Sequence, residues 1–135
     1  MKIAIGIVLI VLICIMIYSA TKKLPGMENV RFISAQEFNA LVEVKDPNTV
    51  LLDVRTSKEF DDGHIAGALN IDFYASDFKP QLSALDPAKT YLVYCRSGHR
   101  TRQAVSIMGT VGFKNIVVLE HGLMDWLANK LPTVK

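Results

Sequence analysis

The chain has 135 residues, 50% of them hydrophobic, with 15 basic and 13 acidic side chains. That length holds one compact domain, and the near-balanced charge gives no footing for a nucleic-acid partner. The hydrophobic excess is concentrated at one end, which excludes a multidomain enzyme, a polytopic transporter and a disordered chain.

Ile3 to Thr21 is a run of nineteen residues without a charge, and sixteen of the eighteen from Ile3 to Ala20 are hydrophobic. At about 1.5 Å per residue it would form a helix of roughly 28 Å, close to the hydrocarbon thickness of a bilayer. A cleaved signal peptide would have a shorter apolar core and a small-x-small end. Tyr18 stands where a small residue would be needed for a cut after Ala20, and Ile13 before Cys14 disfavours a lipoprotein site. The expectation is a single transmembrane anchor over residues 1–21, a linker over 22–29 and a domain over 30–135, with membrane contact through residues 3–21. Lys22, Lys23 and Arg31 against Lys2 lean the domain to the cytoplasmic side of a cell membrane. Cys14 in the apolar run and Cys95 in the domain could not pair within one chain.

Within the domain, strand and helix signals alternate. Val30 to Ile33 predicts a short strand. Ser34-Ala35-Gln36-Glu37 is a capping box, opening a helix with Phe38, Leu41 and Val42 inward. Thr49 to Val54 is a continuous apolar run with an acidic residue near its end, suited to a strand covered on both faces. Thr56-Ser57-Lys58-Glu59 is a second capping box, for a short helix ending by Gly63. Ala68 to Ile71 predicts a brief strand and Asp77 to Leu85 a helix that tolerates Pro80 in its first turn. Tyr91 to Cys95 predicts another buried strand, Arg96 to Arg100 a loop, and Thr101 to Val111 a helix closed by Gly112. Asn115 to Leu119 is the last strand and Gly122 to Asn129 the last helix. Helices between buried strands predict an α/β fold, a mostly parallel five-stranded sheet flanked by helices.

The residues after Cys95 are Arg96, Ser97, Gly98, His99 and Arg100, a stretch with no apolar side chain. Ligands of open α/β sheets bind beyond the carboxyl ends of the strands, and the helix start that follows offers unpaired N–H groups to an anion. Gly98 lets the backbone curl into a nest, and flanking cations add to it. These effects favour thiolate over thiol, provided that the sulfur reaches solvent. Cys95 is therefore the candidate nucleophile and the loop the candidate anion cradle. Three histidines and one domain cysteine, far apart in sequence, show no metal-ligand spacing, so no metal and no cofactor are expected.

Four segments together resemble the rhodanese-like sulfurtransferase family, over roughly Val30 to Pro132. They are Asp53-Val54-Arg55, Gly63-His64-Ile65-Ala66-Gly67-Ala68-Leu69-Asn70-Ile71, the Cys95 to Arg100 loop, and Gly112-Phe113 followed by Gly122 and Trp126. His121 stands where many members carry the first glycine of a pair. The resemblance implies that Cys95 takes a sulfane sulfur from a small anionic donor such as thiosulfate. The persulfide would then pass it to cyanide or a thiol acceptor. Arg96 and Arg100 would hold the donor, and Ser97 and His99 would line the mouth. Asp53 and Arg55 either border the pocket or brace loops, and His64 and Trp126 read as structural. Two other functions compete: a non-catalytic, membrane-tethered binding module, and a phosphatase or arsenate reductase. Phosphatases related to this family carry one more residue between cysteine and arginine.

Overall fold

Five short runs rich in Val, Leu, Ile and Tyr pair into one sheet: β1 (Asn29–Ile33), β2 (Thr49–Asp53), β3 (Leu69–Asn70), β4 (Thr90–Tyr94) and β5 (Asn115–Leu119). The computed structural model describes residues 29–135. The order is β1-β5-β4-β2-β3, and every pairing is parallel. Parallel neighbours need crossovers. The helices along the chain are α1 (Ala35–Val44), α2 (Ser57–Asp62), α3 (Phe78–Ser83), α4 (His99–Thr110) and α5 (Gly122–Ala128).

Alternation along the central strand β4 sorts the core into two layers. Tyr91, Val93 and Cys95 pack on one face with Leu52, Val54, Phe78, Leu82, Ala104 and Met108, beneath α3 and α4. Leu92 and Tyr94 pack on the other with Phe38, Leu119, Leu123 and Trp126, beneath α1 and α5. Each fully buried Leu, Val or Phe contributes on the order of 1.5–3 kcal/mol. Phe38 meets both Tyr94 and Trp126 edge-on, with ring centroids 6.4 Å apart in each case.

Both capping boxes form. Ser34 Oγ accepts the Glu37 N–H at 3.3 Å while Glu37 Oε2 accepts the Ser34 N–H at 3.1 Å. The Thr56–Glu59 pair repeats this at 3.2 and 3.0 Å. Several boundaries differ from expectation. The strand at Ala68–Ile71 contracts to Leu69–Asn70, and the helix at Asp77–Leu85 to Phe78–Ser83, where Asp77 makes no side-chain cap. The helix expected from Thr101 starts at His99. His99, Arg100, Arg102 and Gln103 are polar, so hydrophobic periodicity does not register until the helix is already under way. The loop after Cys95 is correspondingly shorter.

The expected membrane segment, residues 3–21, lies outside the described residues. Among the described residues, no helix is long and apolar enough to cross a membrane.

Candidate active site

Cys95 follows directly on the central strand β4, with α4 starting four residues later. The Gly98 N–H donates to Cys95 Sγ at 3.1 Å. Thr101 Oγ1 lies 3.8 Å from Sγ and itself donates to the Gly98 carbonyl at 2.8 Å. The sulfur thus sits at the amino terminus of a twelve-residue helix, where N–H groups and the helix dipole favour negative charge.

Two close backbone approaches fix this loop. The Leu123 N–H donates to the Cys95 carbonyl at 2.8 Å, and the Met124 N–H to the Arg96 carbonyl at 3.0 Å. The first turn of α5 thereby satisfies its own unpaired donors. In trans peptides the Arg96 and Ser97 N–H groups point the opposite way, away from α5. Gly98, at φ +97°, lies so close to the Glu120 carbonyl that a Cβ would collide with it. Gly122, at φ +66°, lies against Arg96, and a Cβ there would come within 2.6 Å of the Ser97 nitrogen. His121 has φ −107°, an ordinary conformation. The turn before α5 therefore needs glycine at its second position and not at its first.

The two loop arginines differ. Arg100 forms a fork with Glu59, Nη1 to Oε2 at 2.7 Å and Nη2 to Oε1 at 2.9 Å, and its Cζ stands 5.7 Å from the Tyr74 ring centroid. The Arg100 hydrogen bonds, with further bonds from Thr56, outweigh partial burial and hold Glu59 down at about 2. The same fork raises the Arg100 pKa. Arg96 is exposed and has no side-chain hydrogen bond or ion pair among the described residues. Ser97 is exposed, as is His99, whose Nε2 lies 3.3 Å from Gln103 Nε2.

Cys95 itself is 0% exposed. The expectation of a thiol open to solvent is not met in this conformation. Its side chain continues the inward row of Tyr91 and Val93, and the Gly98 N–H closes over it. A groove of about 440 Å³ lies across the sheet, floored by Ile65, Leu92 and Trp126, and Cys95 does not line it.

Asp53 and Arg55 sit on the Tyr94 side of the sheet, away from Cys95. Both are buried, and they pair at 2.7 Å. Arg55 Nη2 donates to the Gly63 carbonyl at 2.8 Å, and Asn70 Nδ2 donates to the carbonyls of Asp53 and Arg55 at 3.1 and 2.9 Å. They brace the end of β2 and the exit of α2. Burial, with the Asp53 charge beside it, raises the Tyr94 hydroxyl pKa. His64 stacks on Phe60 with ring centroids 3.7 Å apart and exchanges backbone hydrogen bonds with Val134. Among the described residues, no group of three His, Cys, Asp or Glu side chains could hold a metal ion.

Sequence reasoning assigned Glu59 only to its capping box and missed its contact with Arg100, 41 residues away. In the sequence, Thr101 marks only the start of a helix. Its hydroxyl, at the position after the loop arginine, was the available signal.

A parallel α/β domain with a cysteine, four residues and an arginine at the end of its central strand is the class defined by fold and site. The family model for the rhodanese-like domain matches residues 34–129, and the chain belongs to this family. Thiosulfate:glutathione sulfurtransferase of Saccharomyces cerevisiae is 29% identical over 115 residues, which cover 77% of this chain and 83% of that protein. A tRNA uridine(34) hydroxylase of Pectobacterium carotovorum is 31% identical over 100 residues, covering 71% of this chain but only 28% of the hydroxylase. The crystal structure of a rhodanese-related protein from Thermoplasma volcanium superposes with a TM-score of 0.66 at 31% identity, over 77% of this chain and 97% of that one. A rhodanese-like domain from Anabaena gives 0.67 at 30% identity, over 76% of this chain and 77% of that one.

Proposed function

We propose that the domain is a sulfurtransferase that carries a sulfane sulfur on Cys95. The Cys95 thiolate attacks the outer sulfur of thiosulfate and forms an S–S bond. The sulfur–sulfur bond of thiosulfate breaks, and its electron pair leaves on sulfite. Cyanide or a thiolate then attacks the outer sulfur of the persulfide. Thiocyanate or a new persulfide departs, and the Cys95 thiolate is restored. One transfer is thus divided into two nucleophilic displacements.

The observation that carries this reading is the Gly98 N–H, 3.1 Å from Sγ at the head of α4. A preorganised backbone donor of this kind stabilises charge on sulfur in both half-reactions. The similarity to the yeast enzyme agrees with the substrate class. The hydroxylase match covers too little of that protein to carry its activity here. An anionic donor must reach Sγ from the exposed side, past Arg96 and Ser97. Residues 3–21 are proposed to tether the domain to a membrane. Alkaline carbonate extraction of the full chain tests this: release of the protein from the membrane fraction contradicts it.

The burial of Cys95 favours a second reading, a non-catalytic binding domain. Thiocyanate formation from thiosulfate and cyanide separates the two. Sulfur transfer predicts turnover by the wild type and none by Cys95→Ser. Equal background rates favour the binding module, and turnover of an aryl phosphate instead would favour a phosphatase.

A further inference from the structure

Resting on that reading, we propose that Glu59 is a positioning residue. It holds Arg100 in place so that the first turn of α4 presents the Gly98 N–H to Cys95 Sγ, leaving Arg96 to meet the anionic donor. The fork between Glu59 and Arg100 uses both carboxylate oxygens and both terminal guanidinium nitrogens. Its far end is rigid. Glu59 Oε2 also accepts the Thr56 N–H and hydroxyl, each at 3.0 Å. The exit of α2 is held by Arg55 at the Gly63 carbonyl and by the His64–Val134 bridge.

Arg100 lies in the first turn of α4, two residues beyond the N-cap Gly98, so a fixed Arg100 anchors the helix start whose cap faces sulfur. Tyr74 packs beside the guanidinium, and the Arg100 side chain is only 12% exposed. With its donors engaged and its charge balanced, Arg100 is poorly placed to bind thiosulfate. Arg96, on the exposed side of the loop, carries a charge with no partner among the described residues.

The test is steady-state kinetics of the full chain with thiosulfate and cyanide. Glu59→Gln keeps the reach of the capping side chain but removes the ion pair. It is expected to lower kcat by about 10- to 100-fold, the scale of a misplaced reacting group, with little change in KM for thiosulfate. Arg96→Ala is expected to raise KM while kcat holds, the pattern of lost uniform binding. Arg100→Lys, which cannot rebuild the fork, should follow Glu59→Gln. A raised KM with intact kcat in the Glu59 or Arg100 variants overturns the proposal, as does no change in either. Thermal melts establish that each variant is folded. If Glu59→Gln does not fold, Arg100→Lys decides alone.

Iodoacetamide alkylation of Cys95 separates this proposal from the sulfurtransferase reading. A wild type that takes up no sulfur removes that reading. The positioning role then stands only if alkylation at fixed pH changes in Glu59→Gln and not in Arg96→Ala.

Discussion

Gly98 does two things that no other residue could combine. It adopts φ +97°, and it leaves room for the Glu120 carbonyl, while its N–H faces Cys95 Sγ. Left-handed backbone costs an L-residue roughly 1–2 kcal/mol, and the collision adds to that. Gly98→Ala is therefore expected to lower the melting temperature and to reduce sulfur loading well beyond the loss of folded protein. A variant with wild-type loading would show that the turn does not need glycine to aim this amide at sulfur. Thr101→Val probes the other neighbour of sulfur: it removes the hydroxyl that bonds to the Gly98 carbonyl and should loosen the same turn. Its effect on loading should be smaller than that of Gly98→Ala, since Gly98 keeps the left-handed backbone that aims its N–H at sulfur.

The short helix α2 is where local sequence signals and long-range contacts meet. Its capping box is legible because both partners lie within four residues, and the structure forms it. Thr56→Ala removes the cap and is expected to cost about 0.5–2 kcal/mol in a urea titration. The partnership of Glu59 with Arg100 was not legible, because only the fold brings α2 beside the first turn of α4. The pair also sets an acid response. Glu59 is held at about 2, below the ~4.3 of an unfolded glutamate. Its contribution is thus fully present above the unfolded value and is lost as pH falls towards the folded one. The stability gap between wild type and Glu59→Gln should be constant near neutrality and shrink between pH ~4.3 and about 2. A gap independent of pH across that window would mean that the ion pair contributes nothing. The start of α4 was misjudged for a related reason. Its first turn is polar, with His99 exposed and Arg100 paired with Glu59, so it carries no apolar stripe.

Across the whole molecule, the parallel sheet and its two-sided core followed from the continuous apolar runs at Thr49–Val54 and Tyr91–Cys95. Strands covered on both faces leave little else for Val, Leu and Tyr to do. The division of the site between the two faces was not visible. Cys95 falls on the α3–α4 side with Val93, while Asp53 and Arg55 fall on the Tyr94 side, because alternation along neighbouring strands sends them apart. Phe38, fully buried against Tyr94 and Trp126, anchors the face opposite the sulfur. Phe38→Ala is expected to cost about 3–5 kcal/mol by denaturant unfolding, with sulfur loading per folded molecule unchanged. Parallel loss of loading would mean that the two layers are coupled more tightly than the sheet implies.

The contacts of the loop after β4 converge on the Cys95 sulfur, and intact-mass spectrometry after incubation with thiosulfate tests its role most directly. The protein should gain the mass of one sulfur atom and lose it on addition of cyanide, while Cys95→Ser gains nothing. A folded wild type whose mass does not change, or a serine variant that gains sulfur equally, would contradict the assignment of Cys95 as the carrier.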